Sequence, residues 1–150
     1  MPAMEGFAAT AELLLQGLLV TLQVTAAAAL LAALAAFSAG LAGLSRYRAA
    51  RWIALVYVET FRGTSALVQL FWFYFVLPFF GVELSAMTAG IAALGLNAGA
   101  YGAEIVRGAL VAVPRGQRDA AAALNFSRWQ TMQRILLPQA LLAMLPPFGN

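Results

Sequence analysis

The chain has 150 residues, 63% of them hydrophobic and only 10% charged, with a mean hydropathy of +0.83 and a formal net charge of +3. Soluble domains are about half apolar and about one-quarter charged, so this composition describes a single membrane-embedded domain. The absence of His and Cys excludes imidazole acid–base chemistry, thiol catalysis, disulfides and Cys/His zinc sites.

The N-terminus does not read as a signal peptide. Its apolar run is too long, and Glu5 and Glu12 stand where a basic cluster would be. A hydrocarbon core of about 30 Å needs about 20 helical residues. Leu13–Leu44 meets that length and predicts a first, tilted span. Ser45-Arg46-Tyr47-Arg48 and Arg51 follow it, and Trp52–Phe61 reads as a short interfacial helix. A second span is expected over Thr64–Phe80, closed by Pro78 and Gly81, and a third over Ala86–Val106. A fourth apolar segment begins near Ile135 and reaches Asn150 without the length to cross.

All nine basic residues are Arg. With the N-terminus outside, Arg46, Arg48, Arg51, Arg62, Arg107, Arg115, Arg118, Arg128 and Arg134 all fall inside, and Glu5, Glu12 and Glu83 fall outside. That is the positive-inside pattern, and it places residues 114–137 in the cytoplasm. The arginines lack the polar surroundings of a nucleic-acid face, so no nucleic-acid partner is expected.

The third span carries a stripe of Gly95, Gly99 and Gly102, which predicts close approach to a neighbouring helix. Asn97 lies mid-span, where an unpaired amide is costly. It either hydrogen-bonds a neighbouring helix or lines a solute path with Tyr101, and packing is the favoured role. Glu104 and Arg107, three apart, predict an ion pair on one helix face.

Val113-Pro114 ends that span, and Pro is suited to the first turn of a new helix. Arg115–Leu124 predicts a short Ala-rich helix, stopped at Asn125 in a left-handed turn. Ser127 and Gln130 form a capping box for a further helix running towards Leu137 along the membrane boundary. Such smooth Ala surfaces anchor poorly in lipid but fit a partner's groove.

These residues carry a resemblance. Arg115-Gly116-Gln117-x-Asp119-Ala120-Ala121-x-x-Leu124-Asn125, with Ile135-Leu136-Leu137-Pro138-Gln139-Ala140, resembles the EAA loop of bacterial ABC importer permeases, in particular the polar amino acid uptake family. Tyr57-x-Glu59-x-Phe61-Arg62-Gly63-Thr64, Leu67-Val68-Gln69-Leu70, Ala100-Tyr101-x-x-Glu104-Ile105-x-Arg107-Gly108 and Leu145-Pro146-Pro147-Phe148-Gly149-Asn150 match in the same order. The likeness covers about residues 15–150. The family usually has Glu at Asp119 and Gly at Asn125; the Asn turn and the wording of the third span are similar to the ectoine/hydroxyectoine branch. Members continue beyond Gly149-Asn150, so residues 1–150 are expected to form a single but incomplete permease domain.

The resemblance implies an all-α, polytopic transmembrane domain like those of type I ABC importers, in a bacterial inner membrane. It implies a second permease subunit, identical or homologous, a cytoplasmic ATPase dimer and an extracytoplasmic solute-binding protein, with lipid around the spans. The ATPase contact falls on Gly116, Gln117, Asp119, Ala120, Ala121, Leu124 and Asn125. No GxxxxGK[ST] loop is present, so this chain needs no cofactor and the partner binds ATP. Asn97, Tyr101, Glu104 and Arg107 are the candidates for pathway or packing. An enzyme is disfavoured, because Glu59 and Glu104 are the only acids near the spans and both lie close to Arg. A secondary transporter or channel, or a structural adaptor, is the alternative.

Overall fold

The computed structural model describes the backbone of residues 2–149 and the side chains of residues 11–149. The Glu5 charge and Asn150 therefore lie outside the described residues. The architecture is all-α, as expected. Helix α1 covers Pro2–Gly43, α2 Arg48–Gly63, α3 Ala66–Phe71, α4 Ala86–Ala112, α5 Arg115–Ala123, α6 Arg128–Thr131 and α7 Leu137–Phe148. Among the described residues, two helices are long and apolar enough to cross a membrane, over Ala11–Gly43 and Ala86–Ala112.

Small residues build the α1–α4 seam. A Cβ placed on Gly99 would lie 2.7 Å from the Ala35 Cβ and 3.1 Å from the Ala32 carbonyl; one on Gly95 would meet Leu31 at 2.8 Å. Gly102 faces Ala36 in the same way, and Gly40 on α1 returns the fit against Val106 and Ala103. Nothing larger than hydrogen fits, so the backbones approach until dispersion contacts are continuous. Rising numbers on α1 meet rising numbers on α4, so the two helices run parallel. Parallel neighbours need a segment that returns the chain between them.

That return is broken. The sequence predicts a separate second span over 64–80, but Arg48–Gly63 and Ala66–Phe80 form one pair bent by 104°. After α3 the chain passes through a π turn, Trp72–Val76, and a 3₁₀ turn, Leu77–Phe80. The segment after the bend is about 22 Å long at 1.5 Å per residue, short of a full crossing on its own. Gly81, at φ 81°, closes it in the left-handed conformation, and Ser85 caps α4.

The C-terminal part also differs from expectation. The expected boundary helix and the expected fourth segment are one continuous helical run from Arg128 to Phe148, with a π turn at Met132–Leu136. The cause is Pro138. Lacking an N–H, it cannot donate to the carbonyl four residues back, and its ring crowds that carbonyl. The Leu137 N–H reaches five residues back, to Met132, and the widened turn lets the helix continue. Pro78 follows its own π turn at the same offset, with the Leu77 N–H on Trp72. Ala36, Val106, Leu110, Val113, Leu136, Ala140 and Met144 form the buried core where α1, α4 and the C-terminal helix meet.

Candidate functional site

The loop after α4 is assembled by local rules. Pro114 occupies the cap, one residue before the predicted position, and α5 begins at Arg115. Asn125 has φ 58°, the left-handed stop expected of it. The Phe126 N–H donates to the Ala121 carbonyl at 3.0 Å and the Asn125 N–H to Ala122 at 2.9 Å, which satisfies carbonyls at the helix end. The capping box is complete: the Ser127 hydroxyl accepts from the Gln130 N–H, and the Gln130 side chain accepts from the Ser127 N–H at 2.8 Å.

One side of α5 faces the protein. Ala121 is 0% exposed, and α5 rests against the Met132–Leu136 turn. Ala121, one of the residues expected in the partner contact, is therefore covered by this chain's own packing. A helix this short and this poor in large side chains gives no periodic signal for its buried side. Gly116, Gln117, Asp119, Ala120 and Asn125 are exposed, and Leu124 presents 67% of its surface. Arg118 ties the element to the span, its Nη2 donating to the Leu110 carbonyl at 3.1 Å. Leu110 lies in the last turn of α4, where carbonyls lack helical partners, and a basic side chain also suits the helix dipole there. Sequence reasoning missed this bond; an Arg shortly after a helix end was the available signal.

A second constellation holds the bend. Phe61 lies in the last turn of α2, so its carbonyl has no helical donor. It accepts from the Asn97 Nδ2 at 3.0 Å and from the Gln69 Nε2 at 2.8 Å. Gln69 also donates to the Thr64 Oγ1 at 2.8 Å, and the Thr64 hydroxyl donates to the Thr60 carbonyl at 2.8 Å. The Tyr57 hydroxyl donates to the Leu96 carbonyl at 2.7 Å. Asn97 thus makes an interhelical hydrogen bond of the kind a packing role requires. Gln69, which the sequence reading left unassigned, is 8% exposed and stitches the two arms of the bend together. In lipid no water replaces such partners. Gln69→Leu is expected to lower stability by about 1 kcal/mol, since it removes the donor shared by Phe61 and Thr64, while Asn97 still serves the Phe61 carbonyl and the unpartnered Gln69 Oε1 is lost as well. Thermal unfolding in detergent measures this, and a wild-type midpoint would remove Gln69 from the role.

The expected Glu104–Arg107 pair is present, with Arg107 Nε on Glu104 Oε1 at 3.0 Å and Nη2 on Oε2 at 2.8 Å. Arg62 joins from α2, 3.9 Å from Glu104 Oε2 and 5.4 Å above the centre of the Tyr101 ring. Tyr101, Glu104 and Arg107 are therefore brought together, and Arg62 is the member the sequence did not reveal. Glu104 and Arg107 also line an open cleft of about 420 Å³ with Arg51 and Glu59, between α1, α2 and α4.

The chain is similar to known transport proteins. A family model described as "Binding-protein-dependent transport system inner membrane component" matches residues 28–150. A probable amino-acid ABC transporter permease protein of Sinorhizobium fredii is 47% identical over 90% of this chain and 59% of its own length. The glutamine transport system permease protein of Escherichia coli strain K12 is 45% identical over 65% of this chain and 46% of its own. The L-cystine transport system permease protein of Bacillus subtilis is 40% identical over 73% of this chain and 47% of its own. Among solved structures, one described as an amino acid ABC transporter with histidines superposes with a TM-score of 0.84 and 36% identity, over 97% of this chain and 68% of that chain. The chain spans about half to three-fifths of the length of these curated relatives. With the family model matching most of its length, the chain belongs to the inner membrane components of binding-protein-dependent transport systems.

Proposed function

We propose that the chain is a membrane-spanning part of an ABC importer permease, and that it moves a polar amino acid or related solute into the cytoplasm. The observation that carries the reading is the loop between α4 and the C-terminal helix. It presents Gly116, Gln117, Asp119, Ala120, Leu124 and Asn125 outward from a helix anchored to a membrane span through Arg118. A rigid, exposed element on the end of a span can transmit movement of a partner to that span. The partner is a cytoplasmic ATPase dimer; a second permease subunit and an extracytoplasmic solute-binding protein complete the assembly.

The orientation follows from charge: the N-terminus outside and residues 114–137 inside. The parallel course of α1 and α4 supports it, because it carries Arg107 to the same end as Gly43, near Arg51. Tyr101, Glu104, Arg107 and Arg62 are the groups proposed to border the pathway. Two of the relatives are described as glutamine and L-cystine permeases, which favours amino acids as the solute class. The ectoine branch rests on the Asn125 turn and the wording of the third span.

Reconstitution with the ATPase and the binding protein tests the reading. Solute is expected to raise ATP hydrolysis, and uptake is expected to stop without ATP. Uptake driven by an ion gradient with no ATPase would instead make the chain a secondary transporter. Partner binding with no solute-stimulated hydrolysis would make it an adaptor.

A further inference from the structure

Beside the loop lies a cavity that the ATPase contact does not use. It has a volume of about 590 Å³ and opens among the ends of α1 and α4, one flank of α5 and the start of α6. Arg115, Arg118 and Arg128 all line it, and among the described residues no Asp or Glu does. Leu44, Leu110 and Val113 supply apolar wall. Asp119 and Ala120, on the exposed face of α5, are not part of it.

Three guanidinium groups around one cavity repel one another unless an anion sits among them. The guanidinium fork matches phosphate oxygens, and Arg118 is already fixed through its bond to Leu110 at 3.1 Å. A free phosphate would use the arginines and leave the apolar wall empty. A phospholipid uses both, and the cavity lies beside the ends of the two helices long and apolar enough to span, where a headgroup would be met. We propose that this cavity binds the phosphate headgroup of an anionic phospholipid, with part of an acyl chain against Leu44, Leu110 and Val113. The lipid would then tie α5 to α4 alongside Arg118. The inference rests on membrane insertion and stands apart from the ATPase reading.

The test uses the protein extracted with native lipid in polymer particles, delipidated stepwise and followed by native mass spectrometry. The probes are phosphatidylglycerol, phosphatidylcholine and inorganic phosphate. Wild type is expected to retain phosphatidylglycerol in preference to phosphatidylcholine. Joint replacement Arg115→Gln and Arg128→Gln is expected to reduce that retention at least tenfold, since each basic group near an anionic headgroup contributes roughly fivefold. Arg46→Gln with Arg48→Gln removes the same charge elsewhere and is expected to have little effect. Arg115→Lys with Arg128→Lys keeps the charge, guards against a folding artefact, and is expected to keep most of the retention. Equal losses in the two Gln pairs would reduce the effect to general surface charge and overturn the site. Displacement of the lipid by inorganic phosphate would make it a free-anion site. Unchanged lipid retention with loss of a co-purifying ATPase would make it a protein contact.

Discussion

Asp119→Arg is expected to lower ATP-driven uptake by at least about tenfold while leaving membrane insertion and thermal stability unchanged. Asp119 is exposed on a helix held in place by other residues, so the fold does not depend on it. Reversing a charge inside a docked interface replaces attraction with repulsion, and a tenfold change needs only about 1.4 kcal/mol. The contrast with Ala121 separates docking from folding. Ala121 is fully buried, so Ala121→Arg is expected to lose stability first and uptake as a consequence. Uptake in reconstituted vesicles and melting of the purified protein distinguish the two. Normal uptake by Asp119→Arg would remove this residue from the coupling surface.

Gly99→Leu is expected to be the most damaging single change to the fold, at about 3 kcal/mol or complete loss of purifiable protein. Overpacking a tight core costs about 1–3 kcal/mol when neighbours can shift. Here the new side chain would run into the Ala35 Cβ, the Tyr57 hydroxyl at 2.9 Å and the Ala32 backbone, and the backbone carbonyl cannot move without bending α1. Gly90 is the control on the same helix, because a Cβ there meets nothing within 4 Å. Gly90→Leu is expected to be neutral or mildly stabilising, since Gly costs about 1 kcal/mol in a helix. Equal melting of the two variants would mean that the α1–α4 seam does not hold the domain together.

Features set by neighbouring residues were legible in the sequence. The Asn125 stop, the Ser127–Gln130 capping box and the Glu104–Arg107 pair each depend on at most four residues, and each stands where expected. The glycine stripe on α4 was also readable, because small residues at helical spacing have one geometric consequence. Its partner surface on α1, centred on Ala32, Ala35 and Gly40, was hidden in an Ala-rich background. The acceptor for Asn97 is a backbone carbonyl 36 residues away, and a carbonyl has no sequence signature. Gln69 also bonds to a backbone carbonyl and was hidden for the same reason, whereas Arg118 stands shortly after a helix end, which was a usable signal. The continuous helix through Pro138 was obscured because proline normally marks a boundary, while a π turn can absorb it.

The central claim is that residues 116–125 are gripped by an ATPase through the exposed face of α5. Residues 1–150 contain no cysteine, so one introduced thiol is the sole reactive site within them and can be labelled before the ATPase is added. Single cysteines at Gly116, Asp119, Ala120, Ala121 and Leu124, with Glu83 at the opposite end of α4 as a distant control, would each carry a photo-crosslinker in membranes that also contain the ATPase. Strong crosslinks from 116, 119, 120 and 124, with none from 121 or 83, are the predicted result. Crosslinks equally strong at Glu83, or none from the exposed positions of α5, would contradict the account.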